Sequence, residues 1–448
     1  MLRACAVAVL VLIALSCREP AAPDVRGGAP APPALPASAR PRELARVVAR
    51  HPLGVPLHDA PGSGRVVARL PDGAAVEVER RSEDQRWFLV RAAGVESGWV
   101  TRRYLDLGAD AGHAPAAPRA HAAALPESSP WASAESCRRA IADGDRDERA
   151  PGSARMATWN LRWFPDGVPG KKPRAGGGID LDWLSCAIHW LDVDVVVLQE
   201  IKFHAAARAS MDQVATLLER SSGHRWRVEL DRCPIEAGQH VGFLYDTERV
   251  KASAFRTYAS LNPHGEPCKD QLRPGFGGYF RFRGGFDAHL IALHLKSGGE
   301  RRAYELREKS LLGVAAALRE ADQLAPDGDV LLIGDLNTMG CPECSPPLGP
   351  SDELARTDRV LGALPAPVRR IEADGSCSEY FAGRGVLLDH FLATPTLREL
   401  PAKTRVKVAG LCAETACAAL PASAPPSALE RLSDHCPLVL ELSDRDLD

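Results

Sequence analysis

The sequence predicts a layered α/β domain over residues 151–448. Strand-like apolar runs alternate with amphipathic, helix-like segments through this region, which is typical of α/β folds. The clearest strand is 330–333 (VLLI), which has the length and β-branched content of a buried strand. It is followed by Asp335 and Asn337, at the position where open α/β sheets bind ligands.

Length and composition indicate a soluble globular protein with more than one domain. The chain has 448 residues, which favours two to three domains, and its 45% hydrophobic and 25% charged residues suffice for a sizeable core. The formal net charge of −3 excludes a global basic field. A polyanionic substrate would therefore have to be held by local Lys and Arg side chains or by a metal ion.

The N-terminus has the features of an export signal. The apolar run at 4–15 follows Arg3 and is too short to span a bilayer but suits a signal peptide. Residues 14–17 (ALSC) resemble a bacterial lipobox, which implies that 1–17 is a targeting segment and that Cys17 carries a lipid anchor in the cell envelope. An ordinary cleaved signal is the alternative and predicts a periplasmic or secreted protein.

Three segments separate the targeting signal from the α/β domain. Residues 18–45 are rich in Pro and Ala and predict an extended tether. Residues 46–107 contain short alternating runs separated by turn signals, as in a small β-barrel. Their order, LPDGAAVEV, RWFLV and SGWVTRRYL, resembles the bacterial SH3-like domain, which implies either a cell-wall ligand or an inert spacer. Residues 108–150 predict a second linker, with Trp131 and Cys137 as candidate anchors.

The cysteine content predicts disulfide bonds. Ten of the twelve cysteines remain when Cys5 and Cys17 are set aside with the targeting segment, an even number for an oxidising compartment. Cys233 and Cys268 flank a candidate hairpin and are a candidate pair. The alternative for four others is a zinc site of thiolates, formed by Cys341, Cys344, Cys412 and Cys417.

Polar residues of the metal-binding or acid-base type recur at the ends of the strand-like runs. A hydrophobic core has no use for such a set, whereas a catalytic site does. Oxygen donors without matching thiolates favour Mg²⁺ or Mn²⁺ over zinc, and two histidines beside carboxylates suit proton transfer. The residues are Asn160, Glu200, His294, Asp335, Asn337, Asp389, Asp434 and His435.

Six motifs in this region resemble those of the endonuclease/exonuclease/phosphatase superfamily, which has the deoxyribonuclease I-like fold. The resemblance covers nearly all of 155–443, with the motifs in the family's order. It implies a four-layer α/β sandwich, in which two packed mixed β-sheets are flanked by helices and the site lies at one edge. The motifs are 158–160 (TWN), 198–200 (LQE), 294–297 (HLKS), 334–337 (GDLN), 388–390 (LDH) and 433–437 (SDHCP).

The resemblance also implies a role for each matching residue. Glu200 is the expected principal metal ligand, supported by Asn160 and Asp434. Asp335 and Asn337 are expected to position or deprotonate the attacking water.

The remaining motif residues are expected to handle protons and the phosphate. His435, oriented by Asp389, is expected to contact the scissile phosphate as a base or electrostatic stabiliser. His294 is expected to protonate the leaving oxygen. Arg273 and Lys296 are candidate phosphate contacts, with a solvated surface charge as the alternative for each.

These features favour an exported, monomeric, Mg²⁺- or Mn²⁺-dependent nuclease. The HLKS motif, the arginine-rich segment with Arg301, Arg302 and Arg307, and residues 242–246 (GFLYD) resemble the exported nuclease branch of the superfamily. The basic loop at 171–174 is a candidate contact for a nucleic-acid backbone, with a solvated surface loop as the alternative. A phosphodiesterase or phosphatase acting on phospholipids or inositol phosphates would have the same catalytic residues. A third alternative is a non-catalytic binding protein of the cell envelope.

Overall fold

The computed structural model describes residues 43–47, 55–106, 125–170, 178–233 and 238–447, except for 62, 64, 71–72, 84–85, 93, 267, 269–271, 274 and 422–424. The targeting segment, most of the tether and the basic loop at 171–174 lie outside the described residues. In the part that is described, none of the helices combines the length and the apolar character that a bilayer span requires.

The N-terminal unit is a seven-stranded antiparallel sheet with its own core. Its strands follow the order β3-β2-β6-β5-β4-β1-β7. Leu57, Val90 and Val100 are fully buried in this core. A small β unit is therefore present where the sequence predicts one, although its first strand begins inside the segment expected to be tether. The strands are β1 (Glu43–Val47), β2 (Val55–His58), β3 (Val66–Leu70), β4 (Ala75–Arg81), β5 (Trp87–Ala92), β6 (Val95–Thr101) and β7 (Leu105–Asp106), with a 3-10 turn at Arg102–Tyr104 before β7.

Two six-stranded mixed sheets form the frame of the α/β region. The first has the order β10-β11-β9-β8-β21-β20, with β8 and β9 parallel. Its strands are β8 (Ser153–Phe164), β9 (Val195–Lys202), β10 (Trp226–Leu230), β11 (Gln239–Asp246), β20 (Lys407–Val408) and β21 (Leu438–Ser443).

The second sheet has the order β12-β13-β14-β15-β19-β16, with β14 and β15 parallel. A separate two-stranded ribbon, β17 (Glu379–Phe381) with β18 (Arg384–Val386), lies between β16 and β19 in the chain. The strands of the second sheet are β12 (Val250–Tyr258), β13 (Gly275–Phe282), β14 (Asp287–His294), β15 (Val330–Asp335), β16 (Arg369–Ile371) and β19 (Asp389–Ala393).

The alternation of side chains on β15 shows how the layers stack. Leu331 and Ile333 belong to the core between the two sheets, whereas Val330 and Leu332 pack with helices on the outer face. Both sheets therefore bury two faces, and the four-layer sandwich implied by the sequence is confirmed. The helices are α1 (Ala134–Ala142), α2 (Leu181–Trp190), α3 (Ala205–Ser222), α4 (Arg301–Leu312), α5 (Val314–Asp322), α6 (Pro350–Gly362), α7 (Gly410–Glu414) and α8 (Ser427–Arg431), and a 3-10 turn lies at Ala259–Leu261.

Residues 125–150, which we expected to belong to a linker, pack instead against the first sheet. Helix α1 begins after Ser133, whose hydroxyl accepts a hydrogen bond from the Ser136 amide. Trp131 is buried edge-on against Trp159 and Trp190. The segment is poor in apolar residues, but one buried indole and one disulfide are enough to fix it to the domain.

All ten remaining cysteines form disulfides. The pairing of Cys233 with Cys268 is confirmed, and the four-thiolate zinc site is wrong because its members are already bonded as disulfides. The pairs are Cys137–Cys186, Cys233–Cys268, Cys341–Cys344, Cys377–Cys417 and Cys412–Cys436.

Candidate active site

The strand register brings the predicted site residues to one edge of the sandwich. His294 is paired with Asp335 at the carboxyl ends of the parallel strands β14 and β15, and Asp389 lies opposite Asp335 at the start of β19. In the other sheet, Leu438 pairs with Thr158, so the residues that precede β21 lie beside the carboxyl end of β8. The ends of strands from both sheets therefore meet around a common site.

Asn160 and Asp335 connect the two sheets at this edge. Nδ2 of Asn160 donates a hydrogen bond to Oδ2 of Asp335 at 3.0 Å, and both residues are buried. Oδ1 of Asn160 accepts a hydrogen bond from the Arg162 amide, where the pairing of β8 with β9 shifts register between Asn160 and Phe164. Oδ1 of Asp335 accepts one from the Asn337 amide at 2.7 Å. Each side chain is thus held by the backbone two residues further along the chain.

Gly334 is required just before Asp335. Its φ is +144°, and a Cβ at this position would lie 2.1 Å from the carbonyl oxygen of Leu293 on the neighbouring strand. The motif GDLN therefore contains glycine because β14 and β15 approach each other closely at the site.

The Glu200 carboxylate contacts the Trp163 amide and faces the His294 ring, and its backbone conformation is strained. Its φ of +63° is rare for a residue with a side chain, and such strain is common at functional sites. Oε2 accepts a hydrogen bond from the Trp163 amide at 2.9 Å, and Oε1 lies 3.7 Å from Nε2 of His294. Burial, and then the Asp434 carboxylate, raise the pKa of the Glu200 carboxyl group.

His294 lies near two carboxylates, yet its surroundings favour the neutral imidazole. Its Nε2 is 3.7 Å from Glu200 and 3.6 Å from Asp335, and its buried Nδ1 has no hydrogen-bond partner among the described residues. Burial, followed by the positive charge of Arg273, lowers the pKa of His294 well below its usual value.

The pKa of His435 is shifted in the opposite direction to that of His294. Its Nδ1 hydrogen-bonds Oδ2 of Asp389 at 2.8 Å, while its Nε2 lies 4.0 Å from Asp335 and 3.8 Å from Glu379. Burial acts to lower the pKa of His435, but Asp389, Glu379 and Asp335 outweigh it and raise the pKa well above the usual value. The surroundings of His435 therefore favour its protonated form, whereas those of His294 favour the neutral form.

Two residues of the site were not expected from the sequence. Oγ of Ser378 donates a hydrogen bond to Oδ2 of Asp389 at 2.7 Å and accepts hydrogen bonds from the Leu388 and Asp389 amides. Glu379 is buried, and burial, together with nearby carboxylates such as Asp434, raises its pKa.

The sequence contains no local signal for these two residues, because β17 is only three residues long and lacks an apolar run. Their placement comes from backbone pairing with the segment before β21: Tyr380 donates to the Asp434 carbonyl, and Cys436 donates to the Ser378 carbonyl.

Asp434 and Asn337 lie at the site but are engaged with neighbouring groups. Oδ2 of Asp434 is 3.2 Å from Nε of Arg162. Nδ2 of Asn337 donates to the carbonyl oxygen of Leu295 at 3.1 Å, so this amide connects the loops that follow β14 and β15. Its φ of +51° is consistent with a tight turn after the strand.

The two candidate phosphate contacts differ in their surroundings. Arg273 is within electrostatic reach of Glu200 and Asp335, and its buried Nε has no hydrogen-bond partner among the described residues. Lys296 is exposed and donates from Nζ to the carbonyl oxygen of Ser297. Arg273 is therefore the better placed of the two to meet an anion inside the site.

A cluster of donor groups at this edge could hold a cation. One donor atom from each of Asp335, Asp389 and His435 lies within 4.8 Å of the others. Oδ1 of Asp389 is buried and has no hydrogen-bond partner among the described residues, as expected for an oxygen that faces an ion. The carboxylate-rich donor set, with Glu200 nearby, fits a hard divalent cation. This cluster contains none of the three metal ligands expected from the sequence, Asn160, Glu200 and Asp434.

Comparison with known proteins places the chain in a family. The family model described as "Endonuclease/Exonuclease/phosphatase family" matches residues 157–435. A comparison with curated protein sequences finds no match.

Solved structures give matches of low identity. An endonuclease/exonuclease/phosphatase from Bacteroides vulgatus is 14% identical, with 66% of this chain and 99% of that chain covered and a TM-score of 0.41. D. rerio TDP2 complexed with a single-strand DNA product is 16% identical over 65% of this chain and 99% of that chain, with a TM-score of 0.42. A mannosyl-6-phosphatase from Bacteroides thetaiotaomicron is 15% identical over 64% and 99%, with a TM-score of 0.40. On the family match, which spans more than half of its length, the chain is a hydrolase of the endonuclease/exonuclease/phosphatase family.

Proposed function

We propose that this protein is an exported, monomeric, Mg²⁺- or Mn²⁺-dependent phosphodiesterase that hydrolyses nucleic acid. The observation that carries the proposal is the position of Asp335, whose Oδ2 lies 3.6 Å from His294 and 4.0 Å from His435 at the edge that also contains Glu200. A buried carboxylate within 4.0 Å of two imidazoles whose pKa values are shifted in opposite directions suits a reaction that moves two protons.

Glu200, with Asn160 and Asp434 beside it, would hold the cation. A bound divalent cation neutralises the negative charge that accumulates on phosphate oxygens during in-line attack. Glu200 is suited to this task because its Oε2 is fixed by the Trp163 amide, while Oε1 remains directed toward His294.

The protein's own groups orient the water and the phosphate. Asp335 is fixed by Asn160 and by the Asn337 amide, so it can position and deprotonate the attacking water. His435 is held by Asp389 through Nδ1, which leaves Nε2 as the atom that meets the scissile phosphate. His294, whose Nε2 lies 3.6 Å from the same oxygen of Asp335, is the second proton-handling group.

Local positive charge would select an anionic polymer. Arg273 inside the site and Lys296 at its rim are the proposed phosphate contacts. Of the arginine-rich segment, Arg307 is buried and paired with Glu353, so its guanidinium is not available to a substrate. Arg301 is exposed and pairs with Glu305 on the same helix.

The test is hydrolysis by the full chain with its disulfides oxidised. Plasmid DNA, RNA, sphingomyelin vesicles and inositol phosphates are incubated with Mg²⁺, with Mn²⁺ or with a chelator. We expect nucleic-acid cleavage that disappears on chelation and in Glu200→Ala and His294→Ala. The control His224→Ala, whose imidazole is partly exposed and bonds Asp246 elsewhere, should retain activity.

The alternatives are separate outcomes of the same experiment. If only the lipid or the inositol phosphates are hydrolysed, the substrate is one of these and not nucleic acid. Absence of hydrolysis of every phosphate ester, with the fold intact, would favour a non-catalytic binding protein of the cell envelope, in which a cell-wall ligand of the N-terminal β unit becomes the function to test.

Export and lipid anchoring are proposed on the targeting segment at 1–17. Membrane fractionation of cells that express the chain should place it with the envelope, and Cys17→Ser should release it to the soluble fraction. If Cys17→Ser stays in the envelope fraction like the wild type, the anchor is something other than a lipid on Cys17.

A further inference from the structure

Arg307 is a buried arginine in the middle of α4, and its hydrogen-bond partners lie on α6 and in the loops that follow β14 and β15. Its side chain is 2% exposed, which for a guanidinium group requires partners for all donors. Nε and Nη2 form a two-pronged ion pair with the Glu353 carboxylate on α6, at 2.6 and 2.9 Å.

The remaining donors bind the backbone of two separate loops. Nη1 donates to the carbonyl oxygens of Lys296 and Gly298, at 2.9 and 2.7 Å, in the loop that follows His294. Nη2 donates to the carbonyl oxygen of Gly340, at 3.2 Å, in the loop that follows Asn337. Glu353 completes the network, since its Oε2 accepts the Gly340 amide at 2.6 Å.

The same two loops are joined again next to the strands. Nδ2 of Asn337 donates to the Leu295 carbonyl, and the Leu295 amide donates to the Asp335 carbonyl. The backbone after His294 and the backbone after Asp335 are therefore connected at two levels, directly at the site and through Arg307 behind it.

We infer that Arg307, paired with Glu353, is a positioning residue that holds the loops after His294 and Asn337 in a single arrangement and thereby sets the spacing of the site. The inference rests on the proposed function only for its effect on turnover. A guanidinium can do this because its planar fork presents five donors in fixed directions, which a lysine cannot reproduce. A displacement of about 1 Å at a catalytic group can reduce the rate by about 100-fold.

A matched control exists at the other end of the first sheet. Arg155 is also buried, bonds Glu441 at 2.8 Å and donates to the carbonyl oxygens of Leu191 and Asp147. It precedes Asn160 by five strand residues, about 17 Å along β8. Its loss should affect folding stability as strongly as the loss of Arg307 without moving the site.

The experiment compares Arg307→Lys, Arg307→Met and the double variant Arg307→Met/Glu353→Leu with Arg155→Met/Glu441→Leu. The double variants remove both charges of the Arg307–Glu353 and Arg155–Glu441 pairs, which avoids leaving either carboxylate without its arginine. Asp147, the second carboxylate beside Arg155, keeps its ion pair with Lys407 in the control. Urea unfolding of each variant verifies that it is folded. With bis(4-nitrophenyl) phosphate, we expect kcat of the Arg307 double variant to fall at least about 10-fold with KM within about threefold, and Arg307→Lys to recover only part of the loss.

Amide hydrogen exchange supplies a readout that does not depend on activity. Exchange at 295–300 and 336–341 should accelerate in the Arg307 variants and remain unchanged in the Arg155 control. If the wild-type protein hydrolyses no phosphate ester, the proposed function fails and exchange alone decides the inference. An Arg307 double variant with wild-type kcat, or with wild-type exchange in both loops, overturns it, as does an equal loss of kcat in the Arg155 control.

Discussion

Nδ2 of Asn160 lies 3.0 Å from Oδ2 of Asp335, and this hydrogen bond joins the carboxyl ends of strands that belong to different sheets. Both side chains are buried, so water does not compete for the bond. The bond fixes the carboxylate of Asp335, which lies within 4.0 Å of both His294 and His435. The geometry of the site therefore depends on how the two sheets pack against each other.

Substitution of Asn160 by Ala is expected to reduce kcat strongly and stability moderately. Asp335 would lose the donor to Oδ2, which costs about 1–3 kcal/mol, and its carboxylate could rotate. We expect kcat to fall by about 100-fold, measured with a chromogenic phosphodiester beside urea unfolding. Thr394→Val is the control, because it removes a buried hydroxyl that bonds Gly328 and Val330 at the other end of β15. Equal kcat values for the two variants would contradict this role of Asn160.

Substitution of Ser378 by Ala is expected to lower kcat by about 10-fold with little change in KM. Its hydroxyl orients the Asp389 carboxylate, which in turn orients His435. Asp389→Asn should be more severe, by about 1,000-fold or more, because it changes the tautomer that Nδ1 of His435 requires. Ser378→Thr keeps the hydroxyl and should restore part of the activity. A fully active Ser378→Ala would mean that the Asp389 to His435 pair needs no further support.

Glu200→Gln is expected to abolish the stabilisation that a bound cation provides. A ligand that binds only the folded state raises the melting temperature, so Mg²⁺ or Mn²⁺ should do so for the wild type. Asp434→Asn should weaken the shift if the cation binds beside Glu200, whereas His435→Asn should weaken it if the cation binds at the cluster with Asp335 and Asp389. Thermal unfolding with and without metal separates the two sets of ligands. An unaltered shift in Glu200→Gln would remove Glu200 from either set.

Loss of the disulfide between Cys412 and Cys436 is expected to reduce both stability and activity. It ends next to His435, and its sequence separation of 24 corresponds to a stabilisation of about 2–4 kcal/mol. The double variant with Ala at both positions should unfold at lower urea concentration and lose activity before it unfolds. Cys341 and Cys344, only 3 positions apart, provide the control pair, which should cost less stability. A Cys412/Cys436 variant that remains as active as the control would show that this disulfide serves folding alone.

His189 is expected to make stability decrease as the pH falls below 6.5. The ring is buried at the end of α2 and its Nε2 meets Arg146, so burial and then this guanidinium lower the pKa of His189 to about 4. The contribution of the neutral ring to stability is therefore fully present above pH 6.5 and is lost progressively between pH 6.5 and 4. In this range the unfolded chain binds a proton on His189, whereas the folded chain does not. The full effect is at most about 3 kcal/mol.

The check is urea unfolding of the wild type and His189→Gln at pH 7.5 and pH 4.5. Stability of the variant should depend less on pH across this window. An equal loss of stability in both proteins would assign the pH dependence to other groups.

Local sequence patterns were enough to locate the strands that carry the site. Apolar runs that end in Asn160, Glu200, His294 and Asp335 predict buried strands followed by polar side chains. The two-sheet architecture inferred from them is confirmed by the fold. Strand length, side-chain alternation and end residues are properties of a short stretch of chain, so they can be recognised without knowledge of the partners. Composition was a poorer guide in 125–150, where a few buried anchors outweigh many polar residues.

Non-local pairing alone decided the remaining features. Ser378 and Glu379 join the site because the three-residue strand β17 pairs with the segment before β21. The Arg307 side chain is buried because Glu353 and three backbone carbonyl oxygens accept its hydrogen bonds. The choice of disulfide partners has the same origin, except for Cys341 and Cys344, which are only 3 positions apart. Each of these contacts joins residues that are distant in the chain, and a buried charge or hydroxyl is stabilised only by partners that the folded packing supplies.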